Sequence, residues 1–312
     1  MTAPVPGNPP EAHTGTAVGD LVERLARVPG RYRRFVATRE DATWRHGIGP
    51  EMLDALTSAG MPCERVDGAT RYDELDLVNV SLSLRLPSPR LMVMRGWAAA
   101  IRATAHAGPT TYTVTINAHC RHSTPDEPCS IEASTELRGN LAVSAPRGGP
   151  LTLTRHVTAG EPRAYPDLAP FFGLIDGVRF HLLPNGLRED VGFLRETGLA
   201  DCRLAAAHLV EEAASRGLLA RRSFGLFLSA PYSISHSWLD LRLDDRWVSF
   251  DPLLLNLFTG WGLLAADQWP AHRSTGDGAC RLGEREFVLA THNGEALPLS
   301  FPTEILDTER RP

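Results

Sequence analysis

At 312 residues, 43% of them hydrophobic and 22% charged, the chain is long enough to bury a sizeable core as one large domain or two modest ones. A formal net charge of −5 and a pI near 6.1 give no electrostatic footprint for nucleic acid, and no polybasic run is present to hold an anionic membrane surface. Neither a nucleic-acid partner nor a membrane partner is expected.

The start, 1–19, is rich in Pro, Gly and Thr and lacks the basic and apolar regions of a signal peptide. No later stretch approaches the roughly 20 apolar residues of a membrane span, so a cytoplasmic location is expected. Five cysteines at the irregular positions 63, 120, 129, 202 and 280 do not make a disulfide scaffold and fit a reducing compartment. Every basic side chain other than histidine is arginine, because the chain has no lysine.

In chain order, residues 1–18 offer little to bury and are expected to be disordered. Val18, Leu21, Val22, Leu25 and Ala26 then recur at helical spacing until Pro29-Gly30, and Met52, Leu53 and Leu56 repeat the pattern between Gly49 and Ala59. Both segments are expected to be amphipathic helices. From Leu75 the composition shifts to short runs of Val, Leu and Thr: 75–86, 91–94, 112–118, 130–137 and 151–157. The alternation of Val78, Val80, Leu82, Leu84 and Leu86 with Asn79, Ser81, Ser83 and Arg85 predicts a strand with one wet face. Thus 19–160 is expected to be a helical, then β-rich N-terminal region. After the Pro-punctuated stretch 161–170, residues 161–312 are expected to form a second, α+β region that carries the chemistry.

A helix over 203–216 is predicted from the apolar face of Leu204, Ala207, Leu209 and Ala213, with Cys202 at its N-terminus and Asp201 as the N-cap. The positive end of a helix dipole favours thiolate over thiol, and the leading N–H groups of a helix can hold a developing oxyanion. Farther on, Ser235 to Leu243 alternates as a strand, Asp244-Asp245 turns the chain, and Trp247 to Phe250 returns. His236 and Asp251 therefore lie at the two open ends of one hairpin. A thiol, an imidazole and a carboxylate in this order are what a nucleophile, its base and the group that orients the base require.

Helix-opening Cys202, the stretch 215–221, His236-Ser237-Trp238 and Trp247-Val248-Ser249-Phe250-Asp251-Pro252 together resemble the transglutaminase-like core over about 185–255. The resemblance implies a papain-like α+β fold with Cys202 as nucleophile, His236 as base and Asp251 as the third member. It departs from the usual pattern at Ala200, where such proteins commonly have glycine, and at Arg203, which would suit an acidic or phosphorylated substrate. It also implies acyl transfer from a thioester, carrier-bound or free, or from an amide, to an amine acceptor, as in bacterial antibiotic pathways. Hydrolysis of an amide by the same thiol, or a non-enzymatic binding module built on the 75–158 block, are the alternatives.

Other chemistry-bearing residues are weaker candidates. His119, Cys120, His122, Cys129 and His106 are metal-ligand types, but their spacing matches no common zinc site, so neither metal nor cofactor is expected. Ser235 and Ser237 do not sit on the strand-to-helix elbow that a serine nucleophile prefers. Asn185, His181 and Tyr232 are candidates for a second oxyanion donor. Trp238 and Trp247 are expected to fill the core of the hairpin. The apolar run Leu253 to Trp261 is expected to serve either as a wall against water or as core.

Overall fold

The computed structural model describes residues 15–104, 110–118, 131–136, 143–144, 152–159, 162–297 and 299–306. They form an α+β chain in two compact units. One holds the described residues up to Met94 together with His181–Leu187, and the other begins at Arg95 and excludes that insert. The metal-type residues His106, His119, Cys120, His122 and Cys129 lie outside the described residues.

In the first unit, α1 (Gly15–Ala26), α2 (Arg39–His46), α3 (Pro50–Ser58) and α4 (Glu74–Ser83) accompany a small antiparallel sheet of β1 (Phe35–Ala37), β2 (Cys63–Val66) and β3 (Ala69–Asp73), in the order β1-β3-β2. The helices expected from the spacing at 18–26 and 49–59 are present. Leu21, Leu25, Leu53, Leu56, Tyr72, Leu77 and Val80 share one core.

The expected strand over 75–86 is instead the helix α4, and the cause is local. Asp73 caps it, accepting from the N–H groups of Leu75 at 2.9 Å and Asp76 at 3.2 Å. Of the supposed wet face, Asn79 and Ser81 are buried while Ser83 and Arg85 are exposed, and Asn79 exchanges two hydrogen bonds with the backbone of Leu182, at 3.0 and 2.8 Å; the same helix buries Asp76, which receives the Arg33 guanidinium at 2.7 Å. Asn79, a buried polar side chain satisfied by a tertiary partner, helps imitate a two-residue alternation. The run at 91–94 is likewise helical, within α5 (Pro89–Thr104), whose entry is marked by Ser88 accepting from Leu91 N–H and by Pro89 as first residue. Residues 75–104 are therefore largely helical, and the described strands of the expected 75–158 block begin only at Thr110.

The second unit is built on an eight-stranded sheet. Its members, in chain order, are β4 (Thr110–Ala118), β6 (Val143–Ser144), β7 (Thr152–Ala159), β10 (Ala220–Phe227), β11 (Tyr232–Leu243), β12 (Arg246–Phe250), β13 (Ala279–Gly283) and β16 (Leu299–Leu306). The path runs β13-β10-β11-β16-β4-β7-β6, with β12 paired to β11. Tyr112, Val114, Ile116, Phe224, Leu226, Cys280, Leu282 and Phe301 form a core along it, joined by β5 (Ile131–Ala133) and β14 (Ala290–His292). β15 (Glu295–Ala296) pairs with β14. The strands expected at 112–118 and 151–157 are present as β4 and β7.

This unit also holds most of α5 and, in chain order, α6 (Ala169–Phe172), β8 (Arg179–Phe180), α7 (Val191–Thr197), β9 (Leu199–Ala200), α8 (Cys202–Ser215) and α9 (Pro252–Gly260), with β8 and β9 a short parallel pair. In α9, Leu253, Leu254, Leu255 and Phe258 are buried, so the apolar run after Asp251 is largely core. Gly225 is a close-approach point in the sheet, since a Cβ there would lie 2.0 Å from the Cys280 carbonyl oxygen of the neighbouring strand. No described helix is long and apolar enough to cross a membrane.

His181, in the first unit, is 2% exposed, and its Nε2 has no hydrogen-bond partner. Burial, helped by Arg24 and Arg33, pushes its pKa down to about 3. The unfolded chain therefore holds this proton between about pH 6.5 and 3 while the folded chain does not, so stability falls as pH drops through that window. Chemical denaturation between pH 7 and 5 should show a shallower loss of stability for His181→Gln than for wild type, by up to about 1.4 kcal/mol per pH unit. Identical slopes would show that His181 carries none of the dependence.

Candidate active site

The geometry of the candidate site begins with two helix starts. Asp201, in extended backbone conformation, caps α8 by accepting from Leu204 N–H at 3.0 Å through Oδ1, which makes Cys202 the first helical residue. Asp251 does the same for α9, accepting from Leu254 N–H at 2.9 Å through Oδ1. Both caps are the residue type that helix N-termini favour, because a short side-chain oxygen satisfies an N–H that has no partner in its own helix.

His236 reaches Asp251 through the β11–β12 hairpin. Asp244 and Asp245 both adopt positive φ, 47° and 60°, as a tight two-residue hairpin turn requires, and they set the register Leu243↔Arg246 through Leu239↔Phe250. The ladder ends at Phe250, and the next residue is the α9 cap. Its second oxygen, Oδ2, lies 2.5 Å from His236 Nε2. With Asp251 ionised, Nε2 carries the proton and donates it, which leaves Nδ1 as the basic nitrogen.

The three sequence-predicted residues come together: ligand-type atoms of Cys202, His236 and Asp251 all lie within 4.8 Å of one another. His236 and Asp251 are buried and Cys202 is 8% exposed, a thiol that is enclosed yet retains a sliver of access. Cys63 is exposed and Cys280 is buried in the sheet core.

Around His236 stand three aromatic rings. Trp97 of α5 meets it edge-on at 5.2 Å between centroids, Phe227 does so at 5.8 Å, and Trp238 stacks nearly parallel at 6.4 Å. Trp97 is 2% exposed and its Nε1–H has no hydrogen-bond partner, an arrangement that costs stability unless a ligand supplies the acceptor. Reading 91–94 as a strand hid this residue. The signal that points to it is Ser88-Pro89, a cap followed by a helix-opening proline, from which helical spacing carries Leu91, Met94, Trp97, Ala98 and Ile101 to the buried side.

Trp238, by contrast, donates its indole N–H to Asp240 Oδ1 at 2.8 Å and is core, as expected. Trp247 is half-exposed between the guanidinium groups of Arg221, 4.1 Å from its ring centre, and Arg242, at 5.6 Å, so it is not core. Asp240 is buried and fully used. Besides Trp238 it accepts from Ser249 Oγ at 2.8 Å, Ser223 Oγ at 2.6 Å and Arg221 Nε at 3.1 Å.

Of the three candidates for a second oxyanion donor, His181 and Asn185 fold with the first unit, while Tyr232 begins β11 and is 57% exposed. Arg203 is engaged by carboxylates of the chain itself. It binds Glu189, with contacts of 2.7 and 2.6 Å, and Glu286, at 2.9 Å. Glu189 also takes Arg222, and Glu286 also takes Arg188 Nη1 at 3.1 Å. Arg188 Nε in turn donates to Asp201 Oδ2 at 2.6 Å.

No family model matches the chain, and no curated protein matches it. A solved structure from Cytophaga hutchinsonii, described as "a Putative Cysteine Protease", aligns over 66% of this chain and 94% of its own at 10% identity and a TM-score of 0.35. Likeness at that level does not by itself define a fold or an activity.

Asp240→Ala would leave the Arg221 guanidinium, two hydroxyls and an indole N–H without their shared acceptor. The melting temperature is expected to fall markedly, corresponding to about 3 kcal/mol or more. A melting temperature within two or three degrees of wild type would contradict that role.

Proposed function

We propose that the chain is a thiol enzyme that transfers an acyl group from a thioester or amide donor to an amine. The observation that carries this reading is the convergence of Cys202, at a helix N-terminus, on an imidazole whose Nε2 is bound by a buried carboxylate. A transglutaminase-like ancestry, as the motifs at 202, 236–238 and 247–252 imply, is part of the proposal, as is a place in the biosynthesis of amide-containing natural products.

In the proposed cycle His236 Nδ1 takes the Cys202 proton, and Sγ attacks the acyl carbon while the carbonyl electron pair moves onto oxygen. Collapse of the tetrahedral intermediate restores the carbonyl and expels the leaving group, which receives the proton from the imidazolium. An amine then attacks the thioester so formed, His236 accepts the amine proton, and that proton returns to the departing Cys202 sulfur. Asp251 holds the tautomer and stabilises the imidazolium throughout. The Trp97 indole N–H donates a hydrogen bond to the oxyanion in both halves. The aromatic rings around His236 support transfer over hydrolysis, because apolar walls disfavour water as the acceptor.

Intact mass spectrometry of protein incubated with a panel of acyl thioesters, with and without amines, tests the reading. Wild type should gain one acyl group and lose it faster to an amine than to water. Cys202→Ala should gain none, and His236→Ala should acylate at least about 100-fold more slowly. Faster discharge to water would make the enzyme a hydrolase, and equal labelling of wild type and Cys202→Ala would remove Cys202 from the chemistry.

Trp97→Phe keeps the ring packing and deletes the donor. Acylation should slow by about 100-fold or more, while Cys202 alkylation by iodoacetamide, which forms no oxyanion, should stay within about threefold of wild type. Parallel losses in both reactions would mean that Trp97 merely supports His236.

A further inference from the structure

The start of α8 contains a conflict. The helix needs an acceptor at its cap, and Asp201 supplies one, but Asp201 is buried and immediately precedes the residue whose sulfur must become an anion. Two negative charges side by side away from water disfavour each other. Asp201 Oδ1 is committed to Leu204 N–H, and Oδ2 is held by Arg188 Nε at 2.6 Å.

We propose that Arg188 is a positioning residue for the nucleophile: its guanidinium neutralises the Asp201 cap so that a capped helix and a Cys202 thiolate can coexist. The proposal rests on Cys202 being the working thiol, but not on which acyl donor or acceptor it serves.

The surrounding charges fit this role. Arg188 stands at one end of an alternating chain that passes through Glu286, Arg203 and Glu189 to Arg222, with Asp201 completing it on the Cys202 side. Three guanidinium groups and three carboxylates leave the web neutral. His236 and Asp251 also lie close to the thiol, within 4.8 Å. Burial works against the Arg188 charge, yet attraction to Asp201, to Glu286 and to a thiolate at Cys202 more than offsets it and holds its pKa above the ordinary arginine value. A lysine here would provide one point charge, whereas the arginine fork reaches Asp201 and Glu286 through separate nitrogens.

The test is the pH profile of iodoacetamide alkylation at Cys202, followed by peptide mass mapping so that the other cysteines do not interfere. Arg188→Gln should move the alkylation midpoint up by about 1 unit, with a roughly tenfold slower reaction below the midpoint and an unchanged plateau at high pH. Asp201→Asn keeps a good cap without the charge and should move the midpoint down. The double variant should return close to wild type.

An unshifted midpoint in Arg188→Gln overturns the proposal. So does a plateau lowered at every pH that Asp201→Asn does not rescue, the pattern of a merely structural tie. If Arg188→Gln fails to fold, as judged by loss of its thermal transition, Asp201→Asn alone decides, and a midpoint that stays put or rises is a refutation. Wild-type Cys202 inert at every pH would sink the working-thiol assignment and this proposal with it.

Discussion

The carboxylate of Asp251 is the constraint on which the site depends. Its two oxygens do different work: Oδ1 starts α9 by accepting Leu254 N–H, and Oδ2 binds His236 Nε2. A buried carboxylate is costly unless its lone pairs are filled, and here each oxygen has a strong donor. The helix start fixes where the carboxylate sits, the hairpin fixes where His236 sits, and the short bond between them fixes the imidazole tautomer. Asp201 repeats the device at α8, giving one oxygen to the helix and the other to Arg188. Helix capping and active-site electrostatics are thus carried by the same two residues.

Much of this was legible in the residues because it is local. Asp before a long apolar-faced run marks a cap, and paired aspartates between alternating segments mark a tight turn, so Cys202 could be placed at a helix start and His236 beside Asp251 without a structure, while bringing the thiol to that pair rested on the transglutaminase-like resemblance. What was not legible depended on tertiary partners. Asn79 and Ser81 look solvent-facing in a run of alternating valine and leucine, yet both are buried, and Asn79 is satisfied by the backbone of Leu182, more than 100 residues away. A helix buried on most of its surface loses the polar stripe that would identify it. The misassigned segment at 91–94 had the further effect of concealing Trp97, whose significance comes from its neighbours rather than its spacing.

The absence of lysine has a structural counterpart. Where a cation is needed inside the structure, it is used as a multi-point clamp. Arg33 reaches Asp76 and the carbonyl oxygens of Val28 and Leu25, and Arg203 reaches both Glu189 and Glu286. A compact ammonium cannot span such partners in a fixed plane. Arginine also stays charged on burial, so these clamps keep their sign across the working pH range.

These features bear on how, in the proposed mechanism, a thiol and an imidazole would become an ion pair beside buried aromatic rings. Aromatic surfaces around His236 remove water, which strengthens every remaining electrostatic interaction and makes any unbalanced charge more expensive. Under those conditions a thiolate is sustained only if the imidazolium is stabilised from behind and the adjoining cap is neutral. In the proposed mechanism Asp251 would meet the first requirement and the Arg188–Asp201 pair the second. In that proposal the aromatic enclosure that would favour an amine over water as acceptor would also make the charge balance around Cys202 necessary, so that water exclusion and nucleophile activation would follow from one packing arrangement.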